Sequence, residues 1–160
     1  MIEDFPRAVT VIAGIGAALN GGFFFAFSTV VMRALGRLPA PQATSAMQSI
    51  NREAPTPWFM TALFGTAAVC VVAAVVGIGR WSEPWAPYLL LGSALYLACI
   101  VLTITYHVPR NNALARVDPS GADALHSWTT YLSAWTKWNH LRTLTCLASA
   151  TTFVLALRVT

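Results

Sequence analysis

Residues 88–107 run YLLLGSALYLACIVLTITYH, twenty consecutive positions without Asp, Glu, Lys or Arg. A hydrocarbon layer about 30 Å thick takes roughly 20 helical residues to cross, so this stretch predicts a membrane-spanning helix. Three further apolar runs reach similar length, at about residues 9–32, at 58–79 and at about 141–158. A closed barrel would satisfy the backbone in lipid equally well, but its strands would alternate apolar and polar residues, and these runs are continuously apolar. Composition agrees. The 160 residues are 56% apolar or aromatic and 10% charged, against roughly 25% charged in soluble domains. The reading is an all-α integral membrane four-helix bundle, a single domain over 1–160. The acidic start Met1-Ile2-Glu3-Asp4 does not resemble the basic leader of a secretory signal. Cys70, Cys99 and Cys146 are odd in number and lie inside apolar runs, as core residues rather than a disulfide framework.

Four spans put both termini on one side, side A, and the two long connections, roughly 33–57 and 108–140, on side B. Arg7, Arg80 and Arg158 fall on side A. The other seven of the ten basic residues, Arg33, Arg37, Arg52, Arg110, Arg116, Lys137 and Arg142, fall on side B. The positive-inside rule then places side B in the cytoplasm, with both termini outside. The basic residues are scattered beside spans, a pattern of topology rather than of nucleic-acid binding. Residues 40–53 have an amphipathic pattern between proline pairs. After the turn at 118–123, with Ser120 and Asp123 as candidate caps, a helix of 30 residues or more is expected to run unbroken into the fourth span and to project on the cytoplasmic side.

Polar residues inside spans mark candidate chemistry, because the bilayer penalises them. Ser93, Tyr96, Thr103, His107 and Asn111 share one face of the third helix, within about 80° at 100° per residue. The bland account is hydrogen bonding between helices. His107 ends the third span and His140 opens the antiparallel fourth, so the two are expected at one depth on side B, near Asn111, Asn112, Asn139 and Arg142. Imidazoles there can exchange a proton near neutral pH. They can also hold copper or iron, although two ligands without a third are a weak metal signal. No carboxylate lies within a span, which excludes a carboxylate-bridged di-iron site. Asn20, mid-span, is either packing glue or a pocket wall. Phe23, Phe24, Phe25 and Phe27 offer an aromatic wall, at least two of them facing lipid. One conflict is visible in advance. Trp128, Tyr131, Trp135, Trp138 and Arg142 form a narrow face with Asn139 beside it, while His140 points nearly opposite. Both faces cannot line one pocket on an ideal helix, and the stripe can face the pocket, lipid or another subunit.

The blocks Tyr106-His107-Val108-Pro109-Arg110-Asn111-Asn112-Ala113-Leu114 and Trp135-Thr136-Lys137-Trp138-Asn139-His140-Leu141-Arg142-Thr143 resemble the two hallmarks of the anthrone oxygenase-like family of small four-span membrane proteins. Residues 24–28 and 47–52 match more weakly, and Asn20 departs from the family pattern. The resemblance implies an oxidoreductase of aromatic polyketide biosynthesis that acts with O₂ on a flat apolar anthrone. Under it, His107 or His140 is the base, Asn111 and Asn139 are oxyanion donors, and Arg142 or Trp135 gives electrostatic or stacking support. Asn20, Phe24, Tyr96 and Thr103 join Trp135 as substrate-binding candidates. No phosphate loop or dinucleotide fingerprint is present, so no organic cofactor is expected. Two alternatives stand beside this one: a copper or iron oxidase ligated by His107 and His140, and a non-catalytic membrane scaffold or lipid-binding module. The glycines of the first span would also suit a homo-oligomeric contact.

Overall fold

Each apolar run forms a helix longer than the run itself. The computed structural model describes residues 4–159, all helix and connections, with no strand among them. Helix α1 is Asp4–Leu35 and α3 is Pro57–Gly79. Helix α4 is Ala86–Leu114. Between α1 and α3 lies the amphipathic α2, Ala40–Glu53, and α5 is Ala124–Ala156. Three of them, α1, α3 and α4, are long and apolar enough to cross a membrane. With 33 residues α5 has the length, but it is not one of those three. Its inward face is polar, with Asn139, Arg142, Thr143, Ser149 and Thr152 all buried.

The four long helices pack in adjacent pairs: α1 lies on α5 and α3, and α4 lies on the same two. Small residues set the approach. A Cβ at Gly16 would overlap the Thr66 side chain, and one at Gly92 would meet the Phe153 ring at 3.0 Å. Beside that contact, Ser149 Oγ donates to the Gly92 carbonyl at 2.7 Å. Gly14, Gly16 and Gly21 of α1 thus serve contacts within the chain, while Gly22 has nothing within 4 Å of its Cβ position. All three cysteines are buried and free, as expected of core residues.

Proline and polar side chains decide how the helices end. Thr56 caps α3, its Oγ accepting from Phe59 N–H at 3.2 Å, with Pro57 in the first turn, where its missing N–H costs nothing. Gln48 of α2 donates to the carbonyls of Leu114 and Val117, both at 2.9 Å. It satisfies the last turn of α4 and holds α2 across the side-B end. Met47 and Ala43 of α2 pack there with Leu114, Trp128, Tyr131 and Trp135. Two sequence expectations change. The second side-B connection is shorter than 108–140, because α4 continues through Pro109 to Leu114. Asp123 stands at the N-cap of α5 but makes no side-chain cap bond. Ser120 bonds instead to Asp118 Oδ1 through its N–H and hydroxyl, and these two donors hold the Asp118 carboxyl below its usual range.

Each of the three most apolar helices is interrupted by one π-helical segment: Phe27–Val31 in α1, Thr61–Gly65 in α3 and Thr103–His107 in α4. Their wider turns are explicit in Met32 N–H bonding to Phe27 O and Val108 N–H bonding to Thr103 O. In α4 the segment stands just before Pro109, which cannot donate to the ladder. Helix α5 has no such interruption.

Candidate active site

The π segments surround one cavity. Phe27 of the first, Leu63 and Phe64 of the second, and Thr103, Ile104 and His107 of the third all line it. Insertions of this kind recur at functional sites because they re-aim side chains without ending the helix. Met47, Ile50 and Asn51 of α2 roof the space, Phe23, Phe24 and Phe59 form an aromatic wall, and Asn111, Trp135 and Arg142 supply most of the polarity. The volume is about 270 Å³, just under the ~300–1,000 Å³ typical of small-molecule sites. It suits one compact ligand.

His107 is 1% exposed. Its Nδ1 lies 3.3 Å from the Leu102 carbonyl. A carbonyl only accepts, so the tautomer that satisfies this contact carries its hydrogen on Nδ1 and its lone pair on Nε2. That Nε2 is buried with no partner in the protein. The ring is fixed edge-on against Trp135, centroids 5.2 Å apart, and against Tyr106 at 5.4 Å.

Arg142 is 5% exposed, and among the described residues no carboxylate pairs with it. Its guanidinium lies 4.2 Å above the Phe24 ring centroid and 5.4 Å from that of Trp135. It donates to Asn139 Oδ1 at 2.5 Å and to Thr103 Oγ at 3.3 Å, while Nε is buried without a partner. A buried charge is costly unless paired, and cation–π contact offsets only part of that cost.

Asn111 is held by two donors. Tyr131 O–H and Trp135 Nε1–H both reach its Oδ1, at 2.8 and 3.0 Å. An indole only donates, which fixes the amide orientation and leaves Nδ2 as the free donor. Burial pushes the Tyr131 hydroxyl above its ordinary range, so it remains a donor at any working pH.

Of the ten residues singled out from sequence, six line this cavity: His107, Asn111, Arg142, Phe24, Thr103 and Trp135. Four do not. Asn139 is fully buried, and its Nδ2 is spent on Phe24 O at 2.7 Å and Ser28 Oγ at 2.6 Å; it orients Arg142 and ties α5 to α1. Asn20 Nδ2 donates to Gly16 O at 2.9 Å and Ala62 O at 3.1 Å, and Tyr96 O–H donates to Leu63 O at 2.9 Å. Both bind carbonyls of the π segment of α3, which also accept from Thr66 N–H, so they tie α1 and α4 to α3.

His140 is the fourth, and its placement corrects the expected pair. It is exposed and lines a different groove, with Arg33, Arg37 and Lys137. On the regular α5 helix the aromatic face turns inward with Trp128, Tyr131, Trp135, Asn139 and Arg142, and His140 must turn away. The two histidines do not converge, so they do not form the copper or iron site that a His107–His140 pair would make. Among the described residues no group of three or more His, Cys, Asp or Glu has metal-binding geometry. Sequence reasoning did not put Met47, Ile50, Asn51 and Phe59 in the wall. The amphipathic pattern of α2 was the one available signal.

A comparison with curated proteins and another with solved structures each return no match. The family pattern described as Anthrone oxygenase matches residues 56–152. That stretch holds α3, α4 and most of α5, and with them His107, Asn111, Trp135 and Arg142. It covers more than half of the chain, and the protein belongs to the anthrone oxygenase family.

Proposed function

We infer that this protein is a membrane-embedded oxygenase that takes a flat, apolar, anthrone-like substrate into the π-flanked cavity. The observation that carries the reading is the buried, unpartnered Nε2 of His107, on a residue that lines the same aromatic cavity as Arg142. The family assignment points to oxygenase-type chemistry. An anthrone has a methylene flanked by two rings and a carbonyl opposite. His107 Nε2 removes one methylene proton, and the charge moves to the carbonyl oxygen. Arg142 and the Asn111 amide, fixed before the reaction, stabilise that enolate. The electron-rich anion passes one electron to O₂. The resulting carbon radical and superoxide join in a C–O bond, giving a hydroperoxide after protonation. Loss of water then yields the quinone, so anthrone plus O₂ becomes anthraquinone plus water.

The same reading treats α5 as the fourth span. Leu144, Leu147, Val154 and Leu155 expose apolar surface on its outer side, as Ile12, Ile15 and Leu19 do on α1 and Val75 and Ile78 do on α3. Its polar residues face inward, which is where a membrane helix keeps them. We place side B in the cytoplasm on the basic-residue asymmetry. The remainder of α5, about 1.5 Å per residue, then projects beyond the bilayer. The direct test is conversion of anthrone to anthraquinone by purified protein in lipid nanodiscs, with O₂ uptake followed at an electrode. Quinone formed one-for-one with O₂ consumed supports the reading. No quinone above the rate of a heat-unfolded sample overturns it.

A further inference from the structure

A second groove lies on the opposite face of α5, where His140 was left without a place in the reaction. Its walls are the end of α1 and the turn after it, with Arg33 and Arg37, and the middle of α5, with Ser133, Thr136, Lys137 and His140. Met32, Gly36 and Leu132 give it an apolar floor. It measures about 580 Å³ and no carboxylate lines it. Arg33, Arg37, Lys137 and His140 therefore bring cationic or hydrogen-donating side chains to one space with no acid among its lining residues.

Three basic side chains at the rim of an apolar floor match a phosphodiester group with an attached hydrocarbon.

We propose that this groove is a binding site for the phosphate headgroup of an anionic phospholipid of the side-B leaflet, held by Arg33, Arg37 and Lys137, with an acyl chain along Met32 and Leu132. Basic pockets between membrane helices on the cytoplasmic face recognise anionic headgroups by this chemistry. A hydrated free phosphate would leave the apolar floor wet, which favours the lipid. The site is independent of the proposed oxidation and rests only on the side-B helix ends lying at a headgroup layer.

The test is native mass spectrometry of protein purified in detergent and titrated with phosphatidylglycerol or with phosphatidylcholine of the same chains. The parent is expected to retain one phosphatidylglycerol at least tenfold more tightly than phosphatidylcholine. Arg37→Gln with Lys137→Gln is expected to erase that preference. Arg52→Gln with Arg116→Gln, which removes an equal charge outside the groove, is expected to leave it intact. Each variant is checked for an unchanged unfolding temperature in detergent. Equal retention of both lipids by the parent, or equal losses in the two double variants, overturns the proposal. Displacement of the lipid by millimolar inorganic phosphate also overturns it, in favour of a soluble anion. Because the readout is lipid retention, a failed oxidation assay and a failed lipid assay remain distinguishable.

Discussion

His107 and Arg142 are each incomplete as the protein alone presents them, one with a lone pair and no donor, the other with an N–H and no acceptor. A group whose only purpose is packing is normally satisfied by its surroundings, so these two are where substitution should separate function from folding. His107→Gln keeps a polar side chain of similar reach but cannot act as a base near neutral pH. We expect turnover of an anthrone to fall about 10²–10⁴-fold, measured under saturating O₂, with the protein still folded by circular dichroism. Arg142→Met removes the unpaired charge and keeps the bulk over Phe24. Turnover should fall about 10²–10³-fold. The pH for half-maximal rate should rise, since without the cation the substrate ionises less readily. A pH profile measured for parent and variant checks the sign.

At the scale of the helix, the π segments explain both what sequence reasoning found and what it lost. The spans are legible because apolar length is a composition property, and α2 is legible because one face of residues 40–53 is apolar. A π turn adds one residue to a turn and shifts every later side chain, yet nothing in Thr61–Gly65 or Phe27–Val31 announces it. Carbonyls of that segment also accept from residues remote in sequence, Asn20 and Tyr96 for α3. Being polar and mid-span, these two read from the sequence as pocket candidates. His140 was misplaced for a simpler reason. Depth along a helix was readable from its position, but the choice between two opposite faces of α5 was settled by packing against α1 and α4. The staples should differ in consequence. Asn20→Leu removes an interhelical hydrogen bond worth about 0.6 kcal/mol, at most about 1.7, and should lower the unfolding temperature with KM unchanged. Asn139→Leu strips Phe24 O, Ser28 and Arg142 of a shared partner at once. It should cost about 1–3 kcal/mol and lower kcat as well, because Arg142 loses its orientation. Thermal unfolding and steady-state kinetics on both variants make the comparison.

Seen whole, the molecule closes its cavity unevenly. Helices α3 and α4 pack through Thr66–Gly79 and Ala86–Leu102. Toward side B the cavity lining reaches the outer surface at Phe64, Ile104 and Val108, exposed by 46%, 53% and 44%. Under the proposed function this lateral mouth admits an apolar substrate directly from the bilayer. Ile104→Trp should narrow it and lower kcat/KM severalfold in liposomes while kcat holds, and a fall in kcat alone would locate the effect elsewhere. Deeper in the bundle Gly16 packs directly against Thr66. Thr66 holds its hydroxyl on Ala62 O, and a single methyl at position 16 has nowhere to go. Across descendants of this protein, the two sites can drift only as a matched pair, alanine at the first tolerated where the second has shrunk to alanine, so their histories should be written together.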